Sequence, residues 1–580
     1  MTVAKENHGL SCTIFLGASA FIPYRMARKL GAALKKIYWF VIIFYLGLYI
    51  LPLSFRPLII PDEFRYAEIP REMIASGDWA GPHLNGLHYY EKPVMGYWLT
   101  AISLRLCGEN AFGVRLPSAL AAGICAAMVL ALMRRFHGRR GAAFLSAFIL
   151  LTSLEFYAIA MFAVLDGPLT LFVTLAMGMF YFAYQEINPK KRAVFLVLFG
   201  LFCGLAFMTK GFLALALPVL VIVPFLFWEK RAKELLRFAW LPLLTAILVV
   251  LPWALSIHRS DPDFWHYFFW VEHMQRFFSN HPQHPQPFWY FIPVILAGLL
   301  PWSGLLPVVI KEISFKEFRD PLFRFAMGWF IFPFLFFSAS HGKLITYILP
   351  CFPPLAMLFA IGLVKALESG RHKLFVIITI GMATVAVLTA GVLLFSQLSG
   401  FLGVKVFGAN ETWKWVLVCG AILTAGSIWL LSIRTADSWK RIALFGAAPL
   451  CFLIGSHFIL PELTLASKAP EAFLRQQAGR IGPDTLLVSD EKLAKAVCWV
   501  YGRNNVLLLE QAGELSYGLS YKDSGERLLN MAQFNSLVAE EKNKGRIALF
   551  IGNNLYAEFE KQMPLPAHKE QYGDFIFFQF

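Results

Sequence analysis

The sequence predicts a polytopic α-helical membrane protein of about thirteen spans, followed by a C-terminal extracytoplasmic α/β domain. Three observations lead there. Apolar stretches of about 20 residues, the length that crosses a bilayer, recur along most of the chain. Hydrophobic residues make up 58% of the 580 positions, with 56 Phe and only 15% charged residues, more apolar surface than a soluble core absorbs. Residues 461–580 break that pattern and are far more polar.

The net charge of +15 does not point to nucleic acid. Lys and Arg fall in short clusters between apolar runs, where they act as topology signals, and there is no basic reading face or reader module. The eight cysteines are scattered without CxxC or zinc-knuckle spacing, and most read as small buried hydrophobes.

Positive charge orders the spans. Residues 1–36, ending in RMARKLGAALKK, form a basic cytoplasmic or interfacial lead-in; an apolar run at 10–24 resembles a signal-peptide core, but only Lys5 precedes it. The membrane domain is expected over 37–460. Its first span, near 37–57, exits into an extracytoplasmic loop, 58–113, with helices lying at the interface. The second returns to RRFHGRR (134–140), and spans at 141–161 and 168–185 make a hairpin with Asp166 at its far tip. PKKR (189–192) is again inside, and the hairpin 193–228 breaks at Met208-Thr209-Lys210-Gly211.

A seventh span exits to the aromatic, His-rich loop 258–288, and an eighth returns to 311–324. The ninth and tenth flank SASHGK (338–343), the next two flank a loop holding Asn410, and the last, near 442–460, exits. The final domain, 461–580, carries β-like runs at 484–490, 504–510, 546–552 and 575–580 among helical stretches. On this assignment Asp62, Arg65, Glu91, Lys92, Asp166, Lys210, His273 and Lys343 share the extracytoplasmic side, which marks a site there.

Each candidate has a plainer reading. Asp62, after Pro61, suits a helix N-cap; Asp166 in LDGP suits a tight turn; Lys210 suits snorkelling. Glu63, Glu68, Arg71 and Glu72 stand at i, i+3 and i+4 spacings that make solvated helix-surface pairs. Two acids and a lysine at the same ends of successive hairpins favour a shared anion-handling pocket. In GLHYYEKPVMGYW (86–98), charges beside aromatic rings suit an interfacial anchor or a sugar-stacking wall. Glu91 with His273 is a candidate pair for a divalent metal such as zinc, although no local metal-ligand spacing appears. Lys343 and Tyr347 of HGKLITYIL complete the set. No GxGxxG, Walker loop or nucleophile elbow is present, so no nucleotide cofactor is expected.

Several segments carry a family resemblance: PDEFRYAEIPREM (61–73), SGDWAGPHLNGLHYYEKPVMGYW (76–98), YAIAMFAVLDGP (157–168), MTKGFLALALPVL (208–220), LPWALSIHRSDPDFWHYFFWVEHMQRF (251–277) and GELSYGLSY (513–521). Together they resemble the 4-amino-4-deoxy-L-arabinose transferases of Gram-negative lipid A modification, within the wider protein O-mannosyltransferase type of membrane glycosyltransferase (the GT-C type). The resemblance implies thirteen membrane helices with a periplasmic α/β domain. It also implies transfer of aminoarabinose from undecaprenyl phosphate to lipid A phosphates at the periplasmic face of the inner membrane, which confers resistance to cationic peptides. Membrane lipids are the other partners it implies.

On that reading Arg65 and Lys210 contact phosphate, with Lys92 and Lys343 behind them, and Asp62 and Asp166 orient the acceptor, pair the cations or hold the sugar's amino group. Tyr89, Tyr347 and Arg276 are further substrate contacts. Two other readings stay open from the residues alone. One is a sister glycosyltransferase with another sugar or acceptor. The other is a flippase for a lipid-linked sugar, for which repeat-related halves with broken midplane helices would speak.

Overall fold

The computed structural model describes Trp39 and residues 41–275, 284–370, 372–400 and 406–580, without the side chains of His273, Met274 and Asp523. The lead-in 1–36 and Arg276 lie outside the described residues. Among the described residues, eight single helices are long and apolar enough to span a bilayer, from Ala111–His137 to Ala409–Arg434. Two bent helix pairs reach that length and apolarity only when each is taken together: Arg140–Thr152 with Leu154–Ala160 at 62°, and Phe288–Gly298 with Trp302–Glu312 at 100°. Shorter apolar helices lie at Val41–Ser54 and Phe212–Trp228, and the last expected span is broken into Ser438–Ala447 and Leu450–Gly455.

Beyond the membrane helices, β3 (Leu486–Ser489), β4 (Leu507–Leu509), β5 (Leu528–Leu529), β6 (Ile547–Gly552), β7 (His568–Tyr572) and β8 (Phe575–Gln579) form one mixed sheet in the order β5-β4-β3-β6-β8-β7. The β5-β4-β3-β6 run is parallel and β8 is antiparallel to both its neighbours. The continuous apolar runs of β6 and β8 suit strands covered on both faces. A two-stranded hairpin, β1 (His83–Leu84) with β2 (Leu87–His88), lies within the loop after the first apolar helix.

That loop carries the helices Asp62–Ser76 and Met95–Cys107. Its helix Asp62–Ser76 buries Phe64 and Ala67 in one cluster with Leu493, Val497 and Phe550 of the C-terminal domain. Removing these side chains from water holds the sheet domain against the membrane-proximal loop. Two glycines permit the approach. A Cβ on Gly86 would stand 2.5 Å from the Asn504 carbonyl, and Gly86 has φ +70°. A Cβ on Gly518 of the C-terminal domain would stand 2.6 Å from the His88 carbonyl of the loop.

Burial also corrects the reading of PDEFRYAEIPREM. Glu63, Glu68, Arg71 and Glu72 are buried, not solvated. Glu68 and Arg71 do pair at i, i+3, with contacts of 2.6 and 2.7 Å, but under the C-terminal domain. Glu72 accepts the backbone N–H groups of Asn85 (2.6 Å) and Gly86 (2.9 Å), tying the helix to the β1–β2 turn. Asp62 is the first helical residue, and Pro61, after a cis peptide bond, occupies the cap without a side-chain bond.

Candidate active site

Helix ends position the first ion pair. Asp166 opens Asp166–Gln185, where the helix dipole favours an acid, and Lys210 closes Pro189–Lys210, where it favours a cation. Their side chains meet, Lys210 Nζ donating to Asp166 Oδ1 at 2.7 Å, with both groups largely buried. Lys210 also lies over the Tyr347 ring, 4.7 Å from its centroid, a cation–π contact that holds the ammonium without neutralising it.

The second cluster centres on Arg65. Its guanidinium pairs with Asp62 one turn earlier and reaches Glu514 of the C-terminal domain at 2.5 Å. Nη1 also donates to the Tyr89 hydroxyl (3.2 Å), which in turn donates to Glu514 (3.0 Å). Glu514 also pairs with the buried Lys495. Burial alone would raise the Glu514 carboxyl, but Arg65 and Lys495 hold it down to about 2. Asp62 keeps half of its side chain exposed, so it is the member of the cluster open to solvent.

Tyr66 connects the two clusters. Arg65 lies 5.1 Å from its ring centroid, and the charges of Arg65, Asp62, Asp166 and Glu91 all act on its phenol. Asp62 and Arg65 thus stand in one cluster, and Asp166, Lys210 and Tyr347 in another.

Lys92 stands at the edge, paired with Glu272 and bonded to the Glu91 carbonyl (2.9 Å). Burial pushes the Glu91 carboxyl up, against the pull of Lys92. Among the described residues no three His, Cys, Asp or Glu side chains stand together as a metal-ion set, and the imidazole of His273 lies outside the described atoms. Lys343 is set apart. It is buried, donates to the carbonyls of Gln286 (2.9 Å) and Ser340, and pairs with no carboxylate among the described residues. Burial lowers its pKa.

The aromatic residues of 86–98 are core, not an open wall. Tyr89, Tyr90 and Tyr97 are buried in a cluster with Trp253, Phe264, Phe268 and Leu515; the Tyr89 hydroxyl reaches Arg65 and Glu514, and the Tyr90 hydroxyl meets His88 at 2.7 Å.

Sequence reasoning missed Glu514, Tyr66 and a buried triad beneath the site. In that triad Glu63, fully buried, accepts from Arg56 (2.6 and 3.0 Å) and Arg115 (2.7 and 2.8 Å). Arg115 was detectable as a lone cation early in an apolar span. Glu514 carried no local signal beyond its place in GELSYGLSY.

Two family descriptions match the sequence: dolichyl-phosphate-mannose-protein mannosyltransferase over residues 34–268, and the arabinosyl transferase ArnT C-terminal domain over residues 465–579. The undecaprenyl phosphate-alpha-4-amino-4-deoxy-L-arabinose arabinosyl transferase of Aeromonas salmonicida is 40% identical over 89% of this chain and 94% of its own. Two crystal structures of ArnT from Cupriavidus metallidurans, one bound to undecaprenyl phosphate and one in the apo state, superpose with a TM-score of 0.78. They are 24% and 25% identical respectively, and each comparison covers 94% of this chain and 98% of theirs. With that extent of identity along nearly the whole chain, this protein belongs to the undecaprenyl phosphate-alpha-4-amino-4-deoxy-L-arabinose arabinosyl transferase family.

Proposed function

We propose that this chain transfers 4-amino-4-deoxy-L-arabinose from undecaprenyl phosphate to the phosphates of lipid A, at the periplasmic face of the inner membrane. The observation that carries the reading is the pair of cations, Lys210 and Arg65, each held by carboxylates and each paired with an acid of its own cluster. Two phosphates, one leaving and one attacking, need two such cations. The donor in the family's name, a sugar on undecaprenyl phosphate, supplies the leaving one.

In the proposed step a lipid A phosphate oxygen attacks the anomeric carbon. The new C–O bond forms as the bond to undecaprenyl phosphate breaks, and the electron pair leaves with that phosphate. A single displacement inverts the anomeric centre. The attacking oxygen is already anionic, so the main demand is stabilising charge on the leaving phosphate. Lys210 suits that task. Its ammonium rests on Tyr347, so it can shift from Asp166 to phosphate while keeping one contact. Arg65 presents a planar fork to the other phosphate, and Glu514 with Asp62 fixes its orientation.

The test is mass spectrometry of lipid A from a strain lacking aminoarabinose transfer, with and without this gene. Gain of aminoarabinose on lipid A supports the reading. Unchanged lipid A at normal protein levels removes it, and a different added sugar points to a sister transferase.

A further inference from the structure

The two bent spans meet at their breaks. Leu154, just past the first break, donates its N–H to the carbonyl of Leu300, within the second, at 3.1 Å. Broken backbone at membrane depth persists only where protein buries it or a cavity accepts it. Most polar side chains at this junction are matched. Thr152 donates to Phe148 O (2.6 Å) and accepts from the Trp302 indole (2.9 Å), and Ser153 donates to Ile149 O (2.6 Å). Tyr157 bonds His457 at 2.9 Å.

Glu155 is the exception. It is 5% exposed, its carboxylate lies against Gly298, and neither oxygen has a partner among the described residues. An ionisable group inside a membrane segment implies a partner, and here that partner has to come from outside the described side chains. A primary ammonium fits two unpartnered carboxylate oxygens.

The reacting face is close enough to supply one. The helix Leu154–Ala160, which carries Glu155, packs on the helix that Asp166 opens. It also packs on the segment Ile345–Cys351, which carries Tyr347 beneath Lys210. Asp166 and Asp62 are the resting partners of Lys210 and Arg65, and solvent reaches both Asp62 and Glu91. Glu155 is the buried carboxylate left over.

We propose that Glu155 is the specificity residue that receives the protonated 4-amino group of the donor sugar. This rests on the aminoarabinose reading above. It explains why a membrane-buried acid stands behind a site whose other acids hold cations. It also assigns the recognition of the sugar to the junction of the two broken spans rather than to the phosphate-binding pairs.

The test uses the full-length protein in phosphatidylglycerol nanodiscs, where no lipid amine competes. Two synthetic undecaprenyl phosphate donors are compared, one with the free 4-amine and one with a neutral 4-acetamide. E155Q keeps the size of the side chain and removes its charge, and thermal unfolding is followed alongside. We expect KM for the amine donor to rise about tenfold or more in E155Q while the acetamide donor changes little, so that the preference collapses. E155D, which keeps the charge on a shorter arm, should retain part of the preference and serves if E155Q fails to fold. Equal loss on both donors, or loss on neither, in a wild-type background that uses the amine donor overturns this inference alone. Wild-type protein inert toward the amine donor overturns the functional reading and this inference with it.

Discussion

Replacing Glu63 with Gln would leave two buried guanidinium groups facing an uncharged amide. Arg56 is 5% exposed and Arg115 1%, and their shared carboxylate is fully buried. Glu63 accepts four bonds from them and one from the Ile59 N–H (3.1 Å). Burial by itself would raise the Glu63 carboxyl, yet Arg115 and Arg56 bring it from 4.5 down to about 2. At 1.36 kcal/mol per pKa unit this drop is worth about 3 kcal/mol, near the cost of breaking a buried ion pair.

The sign is fixed by the direction of the shift. A depressed carboxyl contributes its full stability above pH 4.5 and loses it as pH falls from 4.5 to about 2. Thermal unfolding of purified protein in nanodiscs should therefore show E63Q several degrees less stable than wild type at pH 7. Between pH 4.5 and 3 the gap should narrow, because only the wild type still has this carboxylate to protonate. An E63Q protein as stable as wild type at pH 7, with a parallel acid profile, would refute the reasoning.

Other substitutions separate the site's parts. K210M should lower turnover about 100-fold in a lipid A transfer assay, since it removes the cation assigned to the leaving phosphate. E514Q frees Arg65 from its buried acid and should lower kcat/KM about tenfold at near-normal protein levels, which a donor titration would read as a rise in KM. Y347F keeps the ring beneath Lys210 and should stay near wild type, whereas Y347A should lose up to about tenfold in kcat/KM.

How much of this was legible in the sequence depended on range. Apolar runs and basic clusters located the helices because both signals are local. The runs at 484–490, 504–510, 546–552 and 575–580 located four strands because each is a nearly continuous apolar segment. Strands β5 and β7 were not legible. β5 has only two residues, and β7, HKEQY, is a polar edge strand held by β8 alone.

The side assignment grouped Asp62, Arg65, Asp166 and Lys210 without indicating which would touch. Lys210 and Asp166 pair across 44 residues, and Arg65 and Glu514 across 449, separations that no local spacing encodes. Solvation was misread for the same reason. The i, i+3 pattern of Glu68 and Arg71 is identical on an exposed helix and on one capped by a domain four hundred residues later.

The strand order carries a consequence for how the enzyme is made. β8 comprises nearly the last residues of the chain, yet it lies between β6 and β7 inside the sheet. The sheet therefore cannot close until β8, the last of its strands in the chain, has been synthesised. Glu514 reaches Arg65 from that same domain, so a partly synthesised membrane half has its Lys210 and the Asp62 partner of Arg65 but not the second acid that sets the arginine. The arginine cluster is then completed only when the C-terminal sheet has formed, and that sheet acts as the last part fitted.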